Sequence, residues 1–349
     1  MHNGQLFYDL KSNFLETNRA GKDGCSNETI GKKRSLSPYL YIARPDHWIK
    51  NIFMFPGVVL AFILDTKSSF TVAIINVLLG LISCCLISSA NYTLNEYLDS
   101  KSDRYHPLKR HRPGALYQLN KKIVFLEYFL LIFIGLSLAW LINPAFFVAS
   151  VGLLIMGMLY NTPPIRTKDY PYIDVLSESI NNPIRFLLGW FTIIYSIVPP
   201  ASVLLAYWMG GAFLMSSKRY AEYRRINNPV QAGLYRHSFK YYTEKTLILS
   251  SFFYAFCSGF FIGVFLIKYK IELLLSMPLF AIIFTWYMSI SMKKDSVAQA
   301  PELLHREPFF MCFTILSFIV VIGLSLVKLP GLQLLMKAYY IPIKFTQLN

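Results

Sequence analysis

The 349-residue chain is short of charge, and of acid above all: 19 Asp and Glu stand against 34 Lys and Arg, and charged residues make up 15% of it. A soluble globular domain carries about 25% charged residues, so the composition excludes an ordinary water-soluble protein. Cysteine is sparse. Cys84, Cys85, Cys257 and Cys312 lie within apolar runs, and Cys25 stands apart. None has metal-ligand spacing or frames a disulfide scaffold, so they read as small hydrophobic residues. There is no glycine-rich phosphate loop, no zinc motif and no serine or cysteine nucleophile arrangement. No internal repeat is visible. Residues 1–36 are polar and lack the apolar core of a cleaved signal, which leaves a flexible or peripheral cytosolic tail.

What the chain has instead is 54% hydrophobic residues, including the aromatics that make up 16% of the chain, arranged in runs that reach the length of a membrane span. About 20 apolar residues suffice to cross a bilayer as a helix. Nine spans are expected, at about 50–65, 70–94, 123–141, 144–160, 175–198, 200–216, 246–267, 271–291 and 309–328. Pro56 is expected to kink the first. Ile142-Asn143-Pro144 and Val198-Pro199-Pro200 are tight turns that make their flanking spans antiparallel neighbours. The fold class is therefore an all-α integral membrane protein, with 37–328 as its membrane domain. Residues 329–349 form an interfacial tail anchored by Lys337, Tyr339 and Tyr340.

The net charge of +15 invites a nucleic-acid reading, but the basic residues lie in short loops between apolar runs. They alternate in density. The segment before span one and loops 2/3, 4/5, 6/7 and 8/9 are rich in Lys and Arg, whereas the other side shows little beyond Lys67, Lys268 and Lys270. Positive charge marks the cytoplasmic face, which puts the N-terminus and every polar motif on that side.

Two acidic clusters end apolar helices there. Asn95, Asp99 and Asp103 are spaced by four, on one face of a helix continuing span two. Two carboxylates and an amide suit a Mg²⁺ that takes its other ligands from phosphate oxygens. Taken alone, the cluster reads equally well as a solvated helix end. Asp174, Glu178, Asn181 and Arg185 fall at offsets of zero, four, seven and eleven, a single helical stripe on an otherwise apolar span. Such a stripe must face the bundle interior or a wet cavity. A Glu178–Arg185 pair would stabilise little beyond an apolar substitute, so function is the better account.

Cations accompany both clusters. Lys109 and Arg112 follow the first, and Arg166 and Lys168 precede the second. Arginine forks match phosphate oxygens and lysine adds a point charge; topology signalling explains some of these residues as well. Arg44, Lys50 and Asn51 lead into span one on the same face, and Trp48 beside them is an interface anchor or a stacking residue. Lys218 and Glu222 end span six, at a spacing that also stabilises plain helices. Tyr160 and Asn161, before Pro163-Pro164, are candidates to line the cavity, and Tyr160 fits the interface equally well.

At these residues the chain resembles the UbiA-type superfamily of intramembrane prenyltransferases. Asn95-Glu96-Tyr97-Leu98-Asp99-Ser100-Lys101-Ser102-Asp103 is similar to that family's N-D-x-x-D-x-x-x-D motif, with Glu96 in place of an aspartate. The resemblance covers about residues 40–328. It implies nine transmembrane helices around a central cavity open to the cytoplasmic side, two acidic motifs holding Mg²⁺ and a phosphorylated substrate, and a lateral opening for a polyprenyl chain. Arg44-Pro45-x-x-Trp48-x-Lys50-Asn51, His106-Pro107-x-Lys109-Arg110-x-Arg112-Pro113, Lys218-Arg219-x-x-Glu222 and Asp174-Val175 with Arg185 resemble the decaprenyl-phosphate phosphoribosyltransferase branch. That branch uses phosphoribosyl diphosphate (PRPP) as donor and a polyprenyl phosphate as acceptor. Ser177-Glu178-Ser179-Ile180-Asn181-Asn182-Pro183 departs from its pattern by being more polar.

The chemistry expected is a dissociative displacement of pyrophosphate at a carbon able to carry positive charge, either the anomeric C1 of PRPP or the allylic C1 of a prenyl diphosphate. Asn95, Asp99, Asp103 and Asp174 are the expected Mg²⁺ ligands, which would neutralise the leaving group. Lys109, Arg112, Arg166 and Lys168 would hold phosphates; Glu178 and Arg185 would position the second substrate. The alternatives are prenyl transfer to an aromatic or other acceptor, and, from another class, a transporter of a phosphorylated solute. A transporter would more often place its site near the midplane between repeats, whereas here the polar motifs gather on one face.

Overall fold

A computed structural model describes residues 37–64, 70–299 and 301–335. The expected tail 1–36 and the anchors Lys337, Tyr339 and Tyr340 lie outside them. Among the described residues every regular element is helical. The principal helices are α1 (Phe55–Leu64), α2 (Phe70–Asp99), α3 (Lys121–Ile142), α4 (Pro144–Asn161), α5 (Ile173–Ser179), α6 (Asn181–Phe191), α7 (Ala201–Ile226), α8 (Pro229–Tyr235), α9 (Glu244–Tyr269), α10 (Met277–Ser291) and α11 (Pro308–Leu326). Among the described residues seven helical stretches are long and apolar enough to cross a membrane: Pro38–Leu64, Phe70–Asp99, Lys121–Ile142, Pro144–Asn161, Glu244–Tyr269, Ile271–Ser291 and Pro308–Leu326. They carry outward rings such as Phe133, Phe256 and Phe309. The chain is an integral membrane protein, helical throughout its described residues.

The expected fifth and sixth spans do not meet that measure. The fifth is broken: α5 ends at Ser179 and α6 starts at Asn181. Pro183 has no N–H to offer the Ser179 carbonyl, which interrupts the ladder there. It also stops at Phe191 rather than at 198. The Asn143 side chain donates to the Phe191 carbonyl at 2.8 Å, Thr192 Oγ1 to Gly189 O at 2.6 Å, and Trp190 Nε1 to Ile197 O at 2.7 Å, so the chain folds back at the helix end. The sixth, α7, is long, but its last turns carry Lys218, Arg219, Glu222, Arg224 and Arg225, ten residues beyond the expected end at 216.

The first span is a composite. Arg44 adopts a left-handed conformation (φ 52°), Pro45–Met54 is a 3₁₀ helix, and α1 follows with Pro56 in its first turn, where a missing N–H costs nothing. Here α1 crosses α6 at a backbone contact. A Cβ on Gly57 would lie 2.1 Å from the Phe186 carbonyl oxygen, and one on Gly189 2.0 Å from that of Met54. Small residues let membrane helices approach so closely.

Two apolar clusters hold the bundle. One joins α1, α2, α4 and α6 through Ala61, Ile87, Phe146 and Leu188. The other joins α7, α9 and α10 through Phe213, Leu247 and Tyr287. Between them, the ends of α2, α4 and α7, the start of α5 and the segment between α8 and α9 bring their polar residues together.

Candidate active site

The site begins where α4 ends. Arg166 turns the chain in a left-handed conformation (φ 34°) into the 3₁₀ turn Thr167–Asp169, which aims Lys168 inward. Its ammonium meets Asp99 Oδ1 at 2.5 Å, Asn161 Oδ1 at 3.0 Å and Asn95 Oδ1 at 3.5 Å. Arg166 reaches the same Asp99 oxygen at 3.1 Å. Asp103 lies elsewhere, buried and paired with Arg112 at 2.7 Å. Burial pulls Lys168 down to about 8, against the opposing pull of Asp99.

The second acidic cluster closes around Arg219 of α7, which is 1% exposed. Its guanidinium bridges Asp174 (3.3 Å), Glu178 and Glu222 (3.2 Å), and donates to the Tyr160 hydroxyl at 2.9 Å. Tyr160 in turn donates to Glu178 at 2.7 Å and accepts from Arg236 at 3.0 Å. Asp174, wholly buried, also accepts from Tyr242 (2.7 Å) and Ser238 (3.2 Å), and Arg236 stands 3.6 Å away. Glu222 takes a further ion pair from Lys109 at 2.7 Å, and Lys109 also donates to Tyr235. Burial draws Lys109 down to about 8, with Glu222 opposing. It draws His106 to about 3, and His106 Nδ1, as a neutral acceptor, receives the backbone N–H of Leu108 and Lys109 at 3.1 and 3.2 Å.

A third group lies deeper along α2. Asn51, fully buried, accepts from Arg185 Nε at 2.9 Å and from Ser88 at 3.3 Å. Lys50 stands 5.8 Å over the Tyr92 ring. Asn181 spends its amide on the Glu178 carbonyl (3.0 Å), while its Oδ1 is buried without a hydrogen-bond partner. Arg44 lies 3.4 Å from Glu96. Lys218 takes no part in the Glu222 ion pairs, although it precedes Glu222 by four.

The Asp174–Arg185 stripe thus faces inward across the helix break, and Glu178 pairs with Arg219 rather than Arg185. The four expected metal ligands do not gather: Asn95 and Asp99 share Lys168, Asp103 takes Arg112, and Asp174 takes Arg219. Among the described residues no three His, Cys, Asp or Glu side chains cluster as they would around a metal. What does suit magnesium is the oxygen set of Asn95, Asp99 and Asn161, three hard donors already turned on one cation. From the sequence, Arg236 counts among the topology charges and Ser238 and Tyr242 pass unremarked; Arg219 enters only within the Lys218-Arg219-x-x-Glu222 motif and Asn161 only as a cavity-lining candidate. Arg219 had a signal, since it sits three residues before Glu222 and beside Lys218.

A profile of the UbiA prenyltransferase family matches residues 53–329. The chain belongs to that family. Among curated relatives it is 26% identical over 180 residues to the decaprenyl-phosphate phosphoribosyltransferase of Mycobacterium tuberculosis, covering 51% of this chain and 58% of that protein. It is 29% identical over 190 residues to the enzyme of the same name from Corynebacterium glutamicum, covering 51% and 52%. The chain thus spans little more than half the length of these relatives. Its fold is similar to a UbiA homolog from Archaeoglobus fulgidus, solved bound to DMAPP and Mg²⁺, with a TM-score of 0.62 at 21% identity, over 83% of this chain and all of that one.

Proposed function

We propose that this UbiA-family member is a magnesium-dependent intramembrane transferase acting on a polyprenyl phosphate or diphosphate with release of pyrophosphate. Its favoured reaction is phosphoribosyl transfer from PRPP to a polyprenyl phosphate, with the site at the cytoplasmic end of the bundle. The mycobacterial and corynebacterial relatives described above carry that activity in their names. The observation that carries the reading is the meeting of both acidic motifs with Lys168, Arg219 and Arg236 around Tyr160, at helix ends inside an apolar bundle. Lys168 Nζ lies 5.9 Å over the Tyr160 ring, linking the Asp99 and Arg219 groups. Interleaved carboxylates and cations in a membrane are costly without a ligand of mixed charge.

Asn95 and Asp99 would hold Mg²⁺ together with phosphate oxygens, and the ion would supply charge neutralisation on the departing pyrophosphate. Lys168 and Arg166 then exchange Asp99 for phosphate, and Lys109 and Arg112 add donors from the loop after α2. Glu178 accepts from Tyr160 and is about a quarter exposed (26%), so it is placed to accept a further hydroxyl from the sugar. The bond from the anomeric C1 to the pyrophosphate oxygen breaks, the leaving group keeps the electron pair, and a lipid phosphate oxygen bonds to C1. The surrounding helices exclude water that would intercept the sugar cation.

The experiment is a comparison of donors. Purified protein in detergent receives labelled PRPP with a polyprenyl phosphate, or labelled prenyl diphosphate with an aromatic acceptor. Label entering lipid only in the first case supports this reading. Transfer only in the second replaces it with prenyl transfer. Turnover without a vesicle gradient excludes transport as the sole role.

A further inference from the structure

No step of the proposed reaction uses His106, yet the loop after α2 is built around it. His106 is 2% exposed. Its Nδ1 accepts the backbone N–H of Leu108 at 3.1 Å and of Lys109 at 3.2 Å, and its carbonyl accepts that of Arg110 at 3.2 Å. Pro107 has no N–H to offer, so the three N–H groups that follow it all end on His106. A side-chain acceptor that takes N–H groups two and three residues ahead folds the chain into a tight turn. Here the turn leads into the 3₁₀ segment Lys109–His111 and sets the direction in which the Lys109 side chain leaves the backbone.

An acceptor alone does not call for histidine. Asn, Asp or Ser would close the same turn. With Nδ1 accepting, the ring proton sits on Nε2, which is buried without a hydrogen-bond partner among the described residues. An unmet buried donor is costly. What the ring adds is a contact with the segment after α7. It stands edge-on to Tyr235 of α8, with centroids 4.6 Å apart, and the Tyr235 hydroxyl accepts from the Lys109 ammonium. That ammonium also meets Glu222 of α7 at 2.7 Å. Gln231 of α8 ties the same two segments, its amide donating to the Tyr105 carbonyl at 2.8 Å. His106 thus touches both the backbone from which Lys109 grows and the ring that holds its tip. Burial, with the nearby charge of Lys109, draws the imidazole down to about 3, so it stays neutral and brings no charge of its own.

We propose that His106 is a positioning residue for the donor diphosphate: it holds the Lys109 ammonium in place and acts on the donor only through it. This rests on the reading above, in which Lys109 binds donor phosphate. A lysine side chain gives up most of its torsional freedom when it fixes an anion. A lysine already clasped at its backbone and at its tip has given up that freedom on folding, so less is lost when the donor binds. As the diphosphate arrives, the ammonium exchanges Glu222 for phosphate oxygens. Glu222 keeps Arg219, and the turn around His106 stays closed.

The test is a double-mutant cycle read by binding of PRPP and of inorganic pyrophosphate to the purified full chain in lipid nanodiscs, with steady-state kinetics beside it. His106→Asn keeps an acceptor for the two N–H groups. His106→Phe keeps a ring against Tyr235 and accepts nothing. Lys109→Met removes the ammonium. His106→Phe should weaken both anions by about tenfold or more, seen as a raised KM for PRPP with kcat within about threefold and the lipid KM unmoved. His106→Asn should recover most of that loss and stay within about threefold of the parent, the remainder being the ring contact. On the Lys109→Met background His106→Phe should cost less than about twofold further, because it acts through the lysine. A merely structural role would lower the folded fraction and leave the affinity of the remainder, and its dependence on Lys109, unchanged. If His106→Phe does not accumulate, His106→Gln, whose acceptor is displaced by one methylene, takes its place in the same cycle. Parental affinity in the variant without the acceptor, a loss undiminished in Lys109→Met, or parental affinity in Lys109→Met itself overturns the proposal. So does a His106→Asn variant as weak as His106→Phe. If the cycle behaves as expected with pyrophosphate but PRPP gives no labelled lipid, the positioning stands and the reaction reading falls. If labelled lipid forms from PRPP with a parental KM in His106→Phe, the reaction stands and the positioning falls.

Discussion

Lys168 and Asp99 are 2.5 Å apart, nitrogen to oxygen, though Lys168 sits on the 3₁₀ turn after α4 and Asp99 ends α2, 69 residues apart in the chain. Asn161 and Asn95 turn their carbonyl oxygens on the same ammonium. The first acidic motif therefore presents a preformed oxygen pocket filled by a cation on a short 3₁₀ turn. Ligand entry need only exchange partners: phosphate takes the ammonium, and the freed oxygens face whatever cation comes with the phosphate. That exchange is compatible with a two-charge ligand and poorly suited to a neutral one.

Asp99→Asn should remove turnover by at least about a hundredfold, because the charge that opposes Lys168 and Arg166 is lost while the shape is kept. Asp99 is a sixth exposed (16%), so the fold should tolerate the change. Thermal unfolding in detergent should shift little. Full activity in this variant would remove the proposed role of the first motif.

Asp174→Asn is a different case. Asp174 is fully buried and accepts from Tyr242, Ser238 and Arg219. An amide keeps the volume but leaves Arg219 and Arg236 with less negative charge to face. Breaking a buried pair costs about 3–5 kcal/mol, so activity and stability should fall together. Retention of parental stability would mean that Arg219 draws its compensation from Glu178 and Glu222 alone.

Donor affinity should weaken as pH rises through about 8, the value to which burial brings Lys109. Above it the ammonium becomes neutral and offers no charge to phosphate. The sign for stability is the reverse. A lysine whose folded pKa lies below its unfolded value is released from its charged-state penalty as pH rises, so the unfolded chain binds more protons and stability grows between the two values. PRPP titrations from pH 7 to 9.5 should show the loss in the parent. Lys109→Arg should remove the Lys109 share of it, because guanidinium stays charged throughout, while Lys168, also drawn to about 8, still titrates. A profile unchanged in Lys109→Arg would assign the titration elsewhere.

How much of this was legible in the sequence depended on the kind of signal. Apolar runs and loop charge located seven of the expected spans, because length and hydropathy are local properties. The break at Ile180 and the end at Phe191 were not legible. They depend on the Asn143 and Thr192 side chains reaching carbonyls and on Pro183 acting within a turn that also read as a polar stripe. The motif residues Asp99, Asp174 and Glu178 were found because spacing of four puts carboxylates on one face. Arg236 was not, because a cation in a loop reads as a topology signal until its partners on other helices are seen, and Arg219 stood in a motif without its three-way bridge being legible. The same limit applies to Asp103, whose spacing aligned it with Asp99 while the chain turned away into a 3₁₀ segment and gave it to Arg112.

Gly189→Ala should destabilise the bundle by about 1–3 kcal/mol. Its new Cβ would meet the Met54 carbonyl oxygen at 2.0 Å, and backbone cannot move aside as a side chain can. The contact lies between the helices that carry Asn51 and Arg185, so their 2.9 Å hydrogen bond should loosen as well. A lower midpoint of unfolding with a raised KM for the lipid is expected. An unchanged midpoint would show that α1 and α6 separate freely.

Arg219 is the residue whose loss should be least tolerated. It is 1% exposed and is the shared partner of Asp174, Glu178 and Glu222. Removing it leaves three carboxylates at close quarters, with Lys109, Arg236 and Tyr160 to offset them. Replacement of one partner in a buried pair costs about 3–5 kcal/mol. Arg219→Ala should therefore fail to accumulate in the membrane or unfold at markedly lower temperature. Arg219→Lys keeps the charge but not the fork, and one ammonium cannot span three carboxylates and the Tyr160 hydroxyl at once. It should fold with reduced stability and show a kcat at least about tenfold lower, because Glu178 and Tyr160 lose the group that fixes them. Parental kcat and midpoint in Arg219→Lys would mean that charge alone, and not the three-way bridge, organises the second acidic motif.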